Sequence, residues 1–202
     1  MRTNLKTIRL TIAITGASGQ IYAKALIDKL FTSEFKKQNE LSDVPLIIDP
    51  EIIFSETAVG VWSDELSIEI PKEYQVFIRS NKDFYSRSAS GSNAPDVMII
   101  IPCSMGTIGR IASGVSSDLI TRSADVMLKE RKKLIIVPRE TPFNLIHLRN
   151  LTTLAEAGAI IAPASPSFYK KPADLDALID NFVSRILDLA EIQQLPEKYR
   201  WQ

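Results

Sequence analysis

Three short runs place glycines and small hydroxyl residues where an apolar stretch turns toward a helix: Thr15-Gly16-Ala17-Ser18-Gly19, Ser55 ahead of Glu56-Thr57-Ala58, and Ser104-Met105-Gly106-Thr107. Amides left free at helix starts, joined by hydroxyls, can hold a phosphate and a polar heterocycle. Each run alone is also ordinary turn and capping chemistry. Their recurrence at the ends of apolar runs outlines one nucleotide-sized site.

Charge supplies the next candidates. Arg122 and Lys129 stand seven residues apart within Thr121–Arg131, a spacing that puts both on one helix face, able to receive an anion or simply to solvate that face. Pro138-Arg139-Glu140-Thr141-Pro142 sets an arginine and a glutamate at the carboxyl end of an apolar run, stiffened by prolines, where structural charge has little reason to lie. Arg139 and Glu140 are therefore expected at a ligand crevice. Tyr169, in the loop Pro163–Pro172, and Arg185, near the end of the chain, read by themselves as a packing aromatic and a surface charge. Cys103 reads as a buried strand-end thiol and His147 as a helix-face residue.

The ligand class narrows by elimination. The first loop lacks the full GxGxxG spacing, and no acidic residue closes a clean second strand to take a ribose hydroxyl, which disfavours NAD. A GxxxxGK[ST] run is absent, so nothing supports a P-loop nucleotidase. FMN, with one phosphate and no second ribose, fits better. One cysteine and one histidine leave no Cys/His metal cluster and no intramolecular disulfide. Lys plus Arg (24) equals Asp plus Glu (24), so no global field favours nucleic acid or anionic lipid. Apolar runs such as Val97–Ile101 are too short to span a bilayer and no secretory pattern opens the chain, so a cytoplasmic protein is expected.

These residues need elements to position them. The run Ile8–Ile14 predicts a buried parallel strand, followed by a helix from about Gln20 with Ile21, Ala25, Leu26 and Leu30 at helical spacing. Thr32–Asp43 reads as a polar insertion, Glu51–Phe54 as a second strand, and Ser55 as the cap of a helix to about Leu66. Ser67–Pro95 is weakly patterned, ending in the polar loop Ser86–Pro95. Strand Val97–Pro102, a helix start at Ser104, a helix near Leu119–Lys132, strand Leu134–Val137, a helix from about Asn144 to Ala157, strand Ala159–Ile161 and a last helix, about 174–192, complete the pattern. The alternation implies an α/β fold, a single domain over 1–202 built as a Rossmann-like (flavodoxin-like) three-layer sandwich around a doubly wound parallel sheet.

Taken together, the motifs resemble the UbiX-type flavin prenyltransferases. The resemblance is carried by Thr15–Gly19, Ser55 with Glu65 ten residues on, Ala89-Ser90-Gly91-Ser92, Pro102–Thr107, Ala124–Arg131, Val137–Phe143, Phe168-Tyr169 and Arg185. It implies transfer of a dimethylallyl group from dimethylallyl phosphate to N5 of reduced FMN, then closure through C6. The product, prenyl-FMN, would serve a separate UbiD-type decarboxylase.

The same resemblance implies that Gly16, Ala17, Ser18, Ser55, Ser104, Met105, Gly106, Thr107 and Arg139 contact FMN, and that Lys129, Glu140, Tyr169 and Arg185, with Ser90, Gly91 and Arg122 nearby, bind the prenyl phosphate. Ser18 and Glu65 would move protons around N5 and C6, and Lys129 and Glu140 would assist the departing phosphate. It further implies no metal and a homododecamer or other large homo-oligomer, in which the last helix packs and neighbouring subunits complete the site. Two departures stand out, a longer 32–50 region and Phe84 where a larger aromatic is expected. The rival readings are an FMN-dependent oxidative decarboxylase of a cysteine-containing substrate and a non-catalytic FMN carrier or decarboxylase accessory subunit.

Overall fold

Six apolar or β-branched runs become strands: β1 (Lys6–Ile14), β2 (Leu46–Phe54), β3 (Ile78–Arg79), β4 (Val97–Cys103), β5 (Lys133–Pro138) and β6 (Ile160–Ile161), in a computed structural model that describes residues 6–31 and 46–193. All pairings are parallel and the order is β3-β2-β1-β4-β5-β6. The chain therefore winds outward from β1 in one direction and from β4 in the other. A crevice opens between them at their carboxyl ends.

The helices are α1 (Gln20–Phe31), α2 (Glu56–Leu66), α3 (Met105–Ala112), α4 (Leu119–Lys129), α5 (Leu145–Glu156) and α6 (Leu175–Leu189). Alternation along β1 sends Leu10, Ile12 and Ile14 to a core with Leu26 of α1, Trp62 of α2 and Phe182 of α6. Ala13 faces the other way, into a core with Ile108 of α3, Met127 of α4 and Leu154 of α5. Right-handed crossovers on a sheet that reverses direction produce these two layers.

Several boundaries differ from those the sequence predicts. β2 begins at Leu46 rather than Glu51, because the segment before Glu51, with Asp49 and Pro50 in it, is also strand, and Asp49 and Glu51 face the second layer. Ser86 donates to the Glu51 carboxylate, Thr11 Oγ1 donates to the same group at 3.3 Å, and Arg87 pairs with Asp49. Among the described residues the polar loop thus covers β2 on that face. Strand β3 is only two residues long, too short to register as a pattern.

The helix before β5 stops at Lys129, not Lys132, since Arg131 turns left-handed with φ 52°. The last helix runs 175–189, with Asp174 as its cap and Glu191 at φ 56° beyond its end. Thr32–Asp43 lies outside the described residues, and of the longer 32–50 region the part from Leu46 belongs to β2.

Candidate functional site

The loops after β1, β2, β4 and β5 are stitched to one another. Thr15 Oγ1 donates to Pro102 O at 2.8 Å and accepts from Ser104 N at 2.8 Å, joining the ends of β1 and β4. Ser55 N donates to Ile14 O at 2.9 Å and Arg139 N to Cys103 O at 3.3 Å. Gly16 lies so close to α2 that a Cβ there would sit 2.3 Å from Thr57 Oγ1, so only glycine permits the approach. This brings Gly16, Ala17, Ser18, Ser55, Ser104–Thr107 and Arg139 to one crevice.

Three helices start at that crevice, and they are not equivalent. At α1 the Glu65 carboxylate accepts from Gly19 N (2.9 Å) and Gln20 N (2.9 Å), so an internal anion already occupies the position favoured by the helix dipole. Burial is the largest influence on that carboxyl and opposes its charge, but hydrogen bonds from Ser18, Gln20 and Gly19 and the charge of Arg139 outweigh it and hold it below the usual carboxylate range. Gly19 needs its φ of +99° to expose the amide, and a Cβ there would stand 3.1 Å from the Tyr22 ring and 3.8 Å from Arg139 Cγ.

At α2 and α3 the capping residues are hydroxyls. Ser55 Oγ accepts from Ala58 N at 3.1 Å and Ser104 Oγ from Thr107 N at 3.4 Å, while Thr57 and Thr107 place second hydroxyls 3.2 and 3.1 Å from them. The other amides of a helix's first turn have no intrahelical carbonyl to bond. At Gly106 a Cβ would meet nothing within 4 Å, so the first turn of α3 is bare to a flat ligand.

Beyond β5, Arg139 and Glu140 line a cavity of ≈ 360 Å³ with Phe143, Pro163 and Ser165. Tyr169 follows in the loop after β6, with 74% of its surface exposed. Glu140 Oε1 accepts from Thr141 N at 2.9 Å.

The rest of the anticipated phosphate set lies elsewhere in the chain. Lys129 Nζ contacts Glu130 at 2.5 Å against Gly91, Arg122 donates to Ala89 O at 3.1 Å and to Asp125 at 3.0 Å, and Ser90 Oγ lies 3.2 Å from Ser92 Oγ. Lys129 ends α4 near the amino end of β5, whereas Arg139 follows its carboxyl end. A six-residue strand separates the two levels, about 20 Å at ~3.3 Å per residue. Arg185 sits on α6, in the opposite layer, paired with Asp188. One chain thus gathers the anticipated cofactor set and divides the anticipated phosphate set among three places.

Thr15 and Thr57 stand in the runs read from the sequence without a role of their own there, Tyr22 and Arg110 gave no signal, and Tyr85 was passed over. Tyr85 is fully exposed beside half-exposed Phe84, and Lys82, three residues earlier, pairs with Glu56 of α2 at 2.5 Å. The double aromatic Phe84-Tyr85 was the signal available. Cys103 is buried and desolvation pushes its thiol well up, while His147 is taken into the capping box of α5 with Asn144. Among the described residues no cluster of His, Cys, Asp or Glu could hold a metal ion, and no helix is long and apolar enough to cross a membrane.

Comparison with known proteins agrees with this geometry. The family model described as Flavoprotein matches residues 1–194. The flavin prenyltransferase UbiX of Methanocaldococcus jannaschii is 42% identical over 196 residues, covering 96% of this chain and 98% of the relative. A crystal structure of AnUbiX (PadA1) in complex with FMN and dimethylallyl pyrophosphate superposes with a TM-score of 0.83 at 35% identity, covering 98% of each chain. The dodecameric FMN-dependent UbiX-like decarboxylase of Escherichia coli O157:H7 gives 0.82 at 31% identity, covering 96% of this chain and 100% of the other. The chain belongs to the flavoprotein family, within its UbiX flavin prenyltransferase branch.

Proposed function

We propose that the chain transfers a dimethylallyl group from dimethylallyl phosphate to reduced FMN and releases prenyl-FMN for a UbiD-type decarboxylase. The observation that carries this reading is the convergence of Ser18, Glu65 and Arg139 at the crevice between β1 and β4, beside two hydroxyl-capped helix starts. With α1 closed by Glu65, a phosphate finds free amides at α2, with Ser55 and Thr57, or at α3. The hydroxyls, the amides and the Arg139 guanidinium form a donor set suited to a phosphate and a carbonyl-rich ring, so the residues present fit FMN.

Bound and reduced, FMN supplies the electron-rich ring that accepts the prenyl group. The protein's part is proton handling and charge neutralisation. Ser18 donates a hydrogen bond to the Glu65 carboxylate, which leaves the lone pairs of its own oxygen free to accept. Ser18 Oγ, backed by the charged Glu65 carboxylate, would receive a proton and relay it to Glu65. Lys129, Arg122 and Arg185 neutralise the departing phosphate, with Ser90, Glu140 and Tyr169 as its hydrogen-bond partners. Because one chain holds these groups in three places, neighbouring copies in a homododecamer or other large homo-oligomer bring them to one phosphate.

The test is anaerobic incubation of the purified protein with reduced FMN and either dimethylallyl phosphate or the pyrophosphate. Flavin heavier by one five-carbon unit, formed faster from the monophosphate, is the expected result. Unchanged flavin mass with both donors overturns the reading.

A further inference from the structure

We propose that Arg110 is a positioning residue that fixes the direction of the Ser104–Thr107 hydroxyl pair and makes Ser104 a hydrogen-bond donor to the bound flavin. The inference rests on the reading that the loop after β4 holds FMN.

Arg110 lies on α3, one turn beyond Thr107. Its guanidinium donates to the Asp118 carboxylate and, at 3.3 Å, to Ser117 Oγ, and its second terminal nitrogen reaches Thr107 Oγ1 at 3.4 Å. Asp118 is itself fixed, since its other oxygen accepts from Thr121 N at 2.9 Å as the cap of α4. The guanidinium is therefore held from behind.

Arginine has donors and no acceptor, so Thr107 Oγ1 must accept from it. Thr107 is 3% exposed, and its own hydrogen needs an acceptor within the protein. The partner within reach is Ser104 Oγ, 3.1 Å away. Were Ser104 the donor instead, the Thr107 hydrogen would be buried without an acceptor. Ser104 Oγ also takes the Thr107 amide at 3.4 Å, so both its lone pairs are used by the protein and its hydrogen is left for the crevice. The chain runs in one direction, Arg110 to Thr107 to Ser104 to ligand. Ser104 thus selects a hydrogen-bond acceptor on the flavin, a carbonyl, ring nitrogen or phosphate oxygen.

The experiment measures FMN affinity and the visible absorption of bound flavin for the parent, Arg110→Met, Arg110→Lys and Ser104→Ala. Arg110→Met is expected to weaken FMN binding about three- to tenfold, the share of one hydrogen bond, and to move the absorption band toward that of Ser104→Ala. Arg110→Lys, which still donates, recovers most of both. In a Thr107→Val background Arg110→Met adds nothing further. Arg110 is 38% exposed, so its replacement leaves the core intact. If Arg110→Met lowers only the melting midpoint while Ser104→Ala alters affinity and spectrum, Arg110 is merely structural and the proposal fails alone. If Ser104→Ala changes neither, or the parent takes up no FMN, the reading of the loop fails and the proposal with it.

Discussion

A single carboxylate divides the labour among the helix starts. Glu65 reaches back from α2 to the amides of Gly19 and Gln20, 46 and 45 residues earlier, so α1 is closed to a ligand phosphate while α2 and α3 stay open. The sequence showed Glu65 only through the family spacing from Ser55, because nothing local in Asp64-Glu65-Leu66 hints at so distant a partner. Its lowered pKa has a definite sign. A depressed folded-state value stabilises the protein above the ordinary carboxylate pKa, and that contribution is lost as the pH falls through the depressed value. Glu65→Gln should therefore lower stability at neutral pH by a few tenths to about 1 kcal/mol, the group being largely solvent-screened. The difference should close in acid, where the parent carboxyl is itself neutral. Unfolding midpoints at neutral and acid pH check this; an equal deficit at both would mean that shape, not charge, is what Gln fails to supply.

At the scale of elements, the strands that build the crevice were legible because β1 and β4 are β-branched runs ending in glycine or serine turns, and buried parallel strands need little else. The early half of β2 was not, because Asp49 and Pro50 interrupt its apolar run and the Asp49 carboxylate finds its partner only in Arg87 of the polar loop, more than thirty residues on. That loop continues to Ser90 and Gly91, both in the anticipated phosphate set. Its position depends on Glu51, 1% exposed, which is held by Ser86 and Thr11. Removing the hydroxyl with Ser86→Ala leaves a buried carboxylate short of a donor, a loss of about 1–3 kcal/mol. Hydrogen exchange should then quicken in 86–93 while the β1 and β4 amides keep their protection. Uniform loosening of the sheet would show that the loop is not a separately tethered cover.

At the scale of the whole molecule, the motifs name the anticipated phosphate residues but not how far apart one chain holds them. Arg122 and Lys129 do share α4 with the spacing read from the sequence, yet Lys129 stands about a strand length, ~20 Å, from the level of Arg139. No residue pattern within one chain encodes that distance, since it arises from winding α4 back antiparallel to β5. If neighbouring copies close the gap, the two halves of the site can be repaired in trans. Ser18→Ala should slow prenylation more than it weakens FMN binding, and Lys129→Ala should retain FMN but lose prenyl transfer. Co-assembled in equal amounts, the two variants place an intact Ser18 from one chain opposite an intact Lys129 from the other in about a quarter of sites by random mixing. Activity well above the sum of the separate variants, appearing only after the subunits are mixed during assembly, is the expected outcome. Activity that stays at that sum in demonstrably mixed assemblies would place Ser18 and Lys129 in the same subunit's site, and the phosphate set would then have to close within one chain by a rearrangement of α4.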